Sequence, residues 1–169
     1  MQTEDLKAIQ APLKERYRDE PDAALVTLSA DGTLGEGVSC SVQTGRAIAE
    51  AGLHPATGGD GQLLCSGDML LEALVACAGV TMRSVATARG IAIESGRVRA
   101  EGDLDFRGTL GVDREAPVGF RSIRLAFELE TDAGDDELAA LLRTTERYCV
   151  VLQTIAGAPE LSTTLDRVA

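Results

Sequence analysis

The segment Asp68 to Arg89 limits what this chain can become more than any other stretch of it. Its first half, Met69-Leu70-Leu71-Glu72-Ala73-Leu74-Val75-Ala76-Cys77-Ala78, is apolar on nearly every side when wound as a helix. A helix of that kind has no polar face to offer water and is expected to lie buried at the centre of the molecule. Helix punctuation flanks it. Ser66 and Asp68 are candidate caps at the start, and Arg83 and Arg89 precede Gly90 at the end, which suits the helix dipole and the usual C-terminal glycine.

The remaining segments supply what surrounds that helix. Leu6, Ile9 and Leu13 recur among charged residues and predict an amphipathic helix from Leu6 to Arg18, ending before Pro21. Ala24 to Leu28 and Glu36 to Gln43 flank Ala30-Asp31-Gly32-Thr33, where Asp-Gly signals the turn of a β-hairpin. A short strand is expected after the turn at Thr44-Gly45-Arg46, ahead of the glycine-rich loop His54 to Gly61. Ile91 to Leu104 and Phe120 to Glu130 alternate as strands, the second through Ile123, Leu125, Phe127 and Leu129. Between them Arg107-Gly108 marks a bulge or turn, and Pro117-Val118-Gly119-Phe120 leads into the strand, with Phe120 a candidate wall for an apolar pocket. Asp135 and Asp136 open a second helix that carries Leu138, Leu141, Leu142, Thr145 and Cys149 on one face, and Leu161 to Leu165 is expected to close as an edge strand. This order is α+β, with no regular βαβ alternation and no glycine-rich phosphate loop. A single domain is expected over residues 1–169, with residues 1–20 as an N-terminal helical extension.

Composition excludes several function classes. A formal charge of −11 disfavours a nucleic-acid backbone or an anionic membrane as partner. No apolar run approaches the roughly 18 residues of a membrane span, and the first residues lack the pattern of a secretory signal, so a cytoplasmic setting with reduced thiols is expected. With aromatic residues at 3%, the core must be built from Leu, Val, Ile and Ala. The single His54 lies in the glycine-rich loop, where an exposed side chain without catalytic duty is expected. Four cysteines with no C-x₂-C pair do not form a zinc pattern, and no metal or cofactor is expected.

Two of the cysteines, Cys77 and Cys149, each fall on the apolar side of a helical segment. Such cysteines either fill a core as small hydrophobes or act together, one sulfur attacking a peroxide and the other resolving the oxidised product. The second role needs Cys77 as a thiolate, below the free value of about 8.5. Cys77 lies well past the first turn of its helix, where the dipole acts, so a charged group from another segment is expected to activate it. Glu72 on the same helix either pairs with an arginine or reaches solvent, and pairing is favoured because an unpaired buried carboxylate is expensive. Cys40 is expected in a strand core, and Cys65, just before the long helix, as an inert thiol.

Leu70-Leu71-Glu72-Ala73-Leu74-Val75-Ala76-Cys77 followed by Thr81-Met82-Arg83, then Gly102-Asp103-Leu104-Asp105-Phe106-Arg107-Gly108, Pro117-Val118-Gly119-Phe120-Arg121-Ser122-Ile123 and Glu146-Arg147-Tyr148-Cys149, resemble the blocks of the OsmC/Ohr superfamily in their order and spacing. The resemblance spans Val26 to the C-terminus. It implies an OsmC-like fold, with antiparallel sheets wrapped around central helices in an intertwined homodimer. It also implies a peroxidase of organic hydroperoxides in which Cys77 is the attacking and Cys149 the resolving cysteine, recycled by a dithiol reductant such as a lipoylated protein. The peroxidases of that superfamily activate the first cysteine with a hairpin arginine held by a glutamate ten positions before it. Here the hairpin turn has no arginine and the tenth position is Gly67, which leaves Arg46, Asp68 and Glu72 as candidate activating or orienting groups. Many members carry proline where this chain has Val150. These departures motivate an alternative: an OsmC-like binding protein for a small apolar or thiol ligand, with weak or no peroxidase activity.

Overall fold

The computed structural model describes residues 3–34, 40–42, 51–165 and 167 of the chain. Helix α1 (Thr3–Asp19) leads into a short 3-10 turn, Pro21–Ala24. Strands β1 (Leu25–Leu34), β2 (Cys40–Val42), β3 (Ala51–Gly52) and β4 (Leu64–Cys65) precede the long helix α2 (Ser66–Arg89). Strand β5 (Ser95–Asp105), the single turn α3 (Phe106–Thr109), strand β6 (Ser122–Glu130) and helices α4 (Asp135–Tyr148) and α5 (Val150–Gly157) complete the chain.

The main sheet is antiparallel in the order β2-β1-β5-β6, and β3 pairs with β4 in a small parallel ladder. β1 runs unbroken through Asp31-Gly32, with Ala30 opposite Ala100 and Gly32 opposite Val98. The turn predicted there does not form. β1 and β2 do pair antiparallel, but their connection is residues 35–39. Nine consecutive register pairs along β5 outweigh the local preference of an Asp-Gly dipeptide.

β5 sends Val98, Ala100, Gly102 and Leu104 inward at the period-2 spacing of a pleated strand. Their partners on β6, Phe127, Leu125 and Ile123, share that face. Gly102 is the close-approach point of the strand, since a Cβ there would stand 2.4 Å from the Phe120 ring. Phe120 therefore caps the sheet face at that position.

α2 lies on this face. Leu71, Leu74, Val75, Ala78, Gly79, Met82 and Ala86 are its buried residues, recurring at helical spacing as one core-facing stripe. Complete burial of Leu71 and Leu74 stabilises the fold by about 1.5 to 3 kcal/mol each. The helix ends on Gly90 at φ 70°, the left-handed conformation expected of a C-terminal glycine. Its start is two residues earlier than Asp68, and Cys65 takes the position before the first turn. The expectation of burial on all sides is corrected: Leu70 is 40% and Val80 38% exposed on the side away from the sheet.

Other expectations are also corrected. Residues 91–94 precede the strand rather than belong to it. Arg107-Gly108 does form a turn, as expected: it sits in the single turn α3, where Arg107 grips the buried Asp105. Leu161 and Leu165 are 86% and 99% exposed in a segment without regular structure, so no edge strand closes there. The strand expected after Thr44-Gly45-Arg46 falls on residues outside those described.

Candidate functional site

α2 carries Cys77 on its outward side, half-buried, between the exposed Ala73 and Val80. The second helix predicted from the sequence does not run through Cys149. α4 stops at Tyr148, and Cys149 adopts an extended conformation (φ −71°, ψ 103°) that serves at once as the end of α4 and the start of α5. Its amide still donates to the Thr145 carbonyl at 2.9 Å, and its carbonyl accepts from the Gln153 amide at 2.9 Å. One turn earlier, the Thr145 hydroxyl donates to the Met82 sulfur at 3.6 Å, tying α4 to α2 beside the joint. Cys149 is completely buried.

The joint brings the two thiols into hydrogen-bond contact. The first amides of a helix have no partner within it, and at the start of α5 they turn to sulfur. Burial opposes ionisation of Cys77. Against it act hydrogen bonds from the Val151 amide, the Cys149 thiol, the Thr81 hydroxyl and the Val150 amide, and together they hold Cys77 below its ordinary value. Cys149 goes the other way. Burial pushes it up to about 11, its donation to the Cys77 sulfur adds to the rise, and the Leu152 and Val151 amides oppose it. The two thiols are therefore shifted in opposite directions, Cys77 toward its charged form and Cys149 away from it.

Of the residues singled out from sequence, the structure brings Cys77 and Cys149 together, and neither Asp68 nor Glu72 is among the groups that reach Cys77. Asp68 lies nine positions before Cys77, about 13 Å along the helix axis and on the opposite side of it. Burial raises its pKa and the nearby His54 opposes the rise. Glu72 is one turn from Asp68 and is raised by burial and then by that carboxylate. It makes no arginine pair among the described residues. Arg46 lies outside the described residues. Cys65 is a half-buried free thiol at the start of α2; Cys40 opens β2, its side chain outside the described set. His54 is half-buried rather than exposed. Its Nδ1 accepts from the Ala56 amide at 3.0 Å, and its ring stacks on Phe106 at 5.0 Å between centroids.

Sequence reading missed Thr81, Val150 and Val151 as site residues. Thr81 had a legible signal, since a hydroxyl four positions after a helical cysteine shares its face. The two valines act through their amides, which their side chains do not advertise.

A helix laid on a four-stranded antiparallel sheet, with two thiols of opposite acidity meeting where two further helices join, defines an α+β protein with a dithiol site. The chain belongs to the OsmC-like protein family, whose family model matches residues 59–164. It is similar in fold to an OsmC-like hydroperoxide resistance protein from Jannaschia sp. CCS1, with a TM-score of 0.59 and 15% identity over 86% of this chain and 94% of that one. It is likewise similar to an OsmC-like protein from Mycoplasma pneumoniae, with a TM-score of 0.55 and 18% identity over 79% and 86% of the two chains. No curated protein sequence matches the chain.

Proposed function

We propose that this chain is a thiol-dependent peroxidase that reduces organic hydroperoxides in defence against oxidative stress. The observation that carries the reading is the meeting of Cys77 and Cys149 at the joint of α4 and α5, where the two thiols are shifted in opposite directions. The Cys77 thiolate attacks one peroxide oxygen: an S–O bond forms, the O–O bond breaks, and the alkoxide leaves as an alcohol after taking a proton from water. Cys77 is then a sulfenic acid. The Cys149 sulfur displaces its hydroxyl, an S–S bond forms, and the Cys149 proton leaves with that hydroxyl as water. A dithiol reductant, such as a dihydrolipoyl group on a partner protein, reverses the disulfide by exchange and becomes a disulfide itself. The name of the Jannaschia neighbour, a hydroperoxide resistance protein, supports the same direction.

The donors that reach Cys77 among the described residues are neutral. Main-chain amides at a helix start stabilise an anion as a cation does, so the missing hairpin arginine does not weigh against thiolate chemistry.

The working unit in this reading is a homodimer, a second copy covering what one chain leaves bare. Two apolar surfaces support it: the outward side of α2 around Leu70 and Val80, and a groove of about 460 Å³ walled by Phe127, Leu129, Leu138 and Leu142. Sedimentation of the reduced protein is expected to give the mass of two chains, and a single-chain mass at micromolar concentration would refute the dimer.

The chemistry is tested by mixing reduced protein with cumene hydroperoxide and mapping the thiols by peptide mass. Two thiols are expected to disappear per peroxide consumed, as a Cys77 to Cys149 disulfide. Cys149→Ser is expected to stop at the sulfenic acid and Cys77→Ser to consume nothing. Peroxide consumption by Cys77→Ser would overturn the assignment of the attacking sulfur. An unoxidised wild type would return the chain to the ligand-binding reading.

A further inference from the structure

The C-terminal half of α4 carries a feature that the dithiol chemistry does not use. Arg89 from the last turn of α2 and Arg143 and Arg147 of α4 line one concavity of about 360 Å³, together with Ala140, Thr144 and Tyr148. The chain has 27 acidic and 16 basic side chains, yet among the described residues no carboxylate lines this hollow. None of the three arginines makes an ion pair among the described residues. Arg147 instead lies over the Tyr148 ring, 5.5 Å from its centroid. The Thr144 hydroxyl is already given to the Ala140 carbonyl at 2.7 Å.

Helix ends explain part of this. Arg89 and Arg147 stand in the last turns of α2 and α4, where a cation suits the dipole. Arg143 is a turn too early for that, and like charges four positions apart on a helix repel. Three arginines without an ion pair among the described residues, lining one hollow of ligand size, fit an occupant that carries the opposite charge.

We propose that this hollow binds a small, multiply charged oxyanion, a phosphate ester or a polycarboxylate, through Arg89, Arg143 and Arg147. The site is independent of peroxide reduction, though Tyr148, its aromatic wall, directly precedes Cys149.

Calorimetric titration of the reduced, full-length protein tests this, with pyrophosphate in one arm and citrate in the other at constant ionic strength. Saturable binding of one anion per chain in either arm is expected, and the two arms tell a phosphate from a carboxylate ligand. Arg143→Ala and Arg89→Ala are each expected to weaken it about tenfold, Arg143→Lys by less, and Arg114→Ala not at all. Heats equal to those of sodium chloride in both arms, or affinity unchanged in both alanine variants, would overturn the proposal. The alkylation rate of Cys77 in the same variants is expected to stay at the wild-type value, so loss of this site and failure of the dithiol reading are told apart.

Discussion

Replacing Thr81 by valine keeps the shape of the side chain and deletes the hydroxyl that donates to the Cys77 sulfur. A hydrogen bond to a charged group contributes about 1.5 to 3 kcal/mol when water is excluded. Cys77 is only half-buried, so water replaces part of the loss and about 1 kcal/mol remains. That is about fivefold in the acid dissociation constant of Cys77, in the direction of a weaker acid, because the lost donor favoured the charged form.

The consequence for rate has two parts of opposite sign. Well below the pKa, the thiolate fraction falls about fivefold, while the more basic sulfur is about twofold more reactive for a Brønsted slope near 0.45. The variant is therefore expected to be alkylated about 2.5-fold more slowly at low pH and about twofold faster at high pH, where both proteins are fully ionised. The two pH profiles cross. Site-resolved alkylation across pH, read by peptide mass, measures this directly, and Thr81→Ser is expected to restore the wild-type profile. Ordinary structural damage lowers the whole profile without a crossing. Parallel profiles, or one unmoved by the loss of the hydroxyl, would refute the role given to Thr81.

Val150→Pro removes one amide donor to Cys77 while placing proline at a first helical position, where it is favoured, after a residue already extended. The acid constant of Cys77 is expected to fall about two- to threefold with the helical circular dichroism unchanged, and an unmoved alkylation profile would contradict it. Cys149 is held near 11 against an ordinary 9.0, so its contribution to stability is fully present below about pH 9 and is lost as pH rises through 11. Wild type is expected to lose about 2 to 3 kcal/mol over that window relative to Cys149→Ser, and urea melts with identical alkaline slopes would exclude it. Arg107→Ala strips Asp105, whose side chain is 1% exposed, of a 2.6 Å ion pair. With the Arg107 amide at 3.1 Å and Arg121 at 4.0 Å retained as partners, a cost of about 3 kcal/mol is expected, and a loss under about 1 kcal/mol in chemical denaturation would contradict the burial argument.

What the sequence reveals and what it hides divide along a physical line. The alternation of Ile123, Leu125, Phe127 and Leu129, the apolar run of α2 and its closing Gly90 depend on side-chain type at fixed spacing, and each was legible. The break at Cys149 was not. Tyr148-Cys149-Val150-Val151 contains no glycine or proline to announce it, and Leu152 and Ile155 continue the helical pattern beyond. The Asp31-Gly32 turn failed for the converse reason: a strong local signal lost to pairing with β5. Leu161 and Leu165 carry strand-like residues into a segment that leaves them exposed. The same line runs through the site. That Cys77 and Cys149 belong together was inferred from motif blocks, but their difference in acidity depends on which one meets the amides at the start of α5 and which is sealed from water. Main-chain donors are the same for every non-proline residue, so no residue type at positions 150 or 151 encodes them except by not being proline. Val150 thus changes meaning once the joint is seen: a departure from a familiar pattern becomes one more donor to the thiolate, supplied where a hairpin arginine is missing.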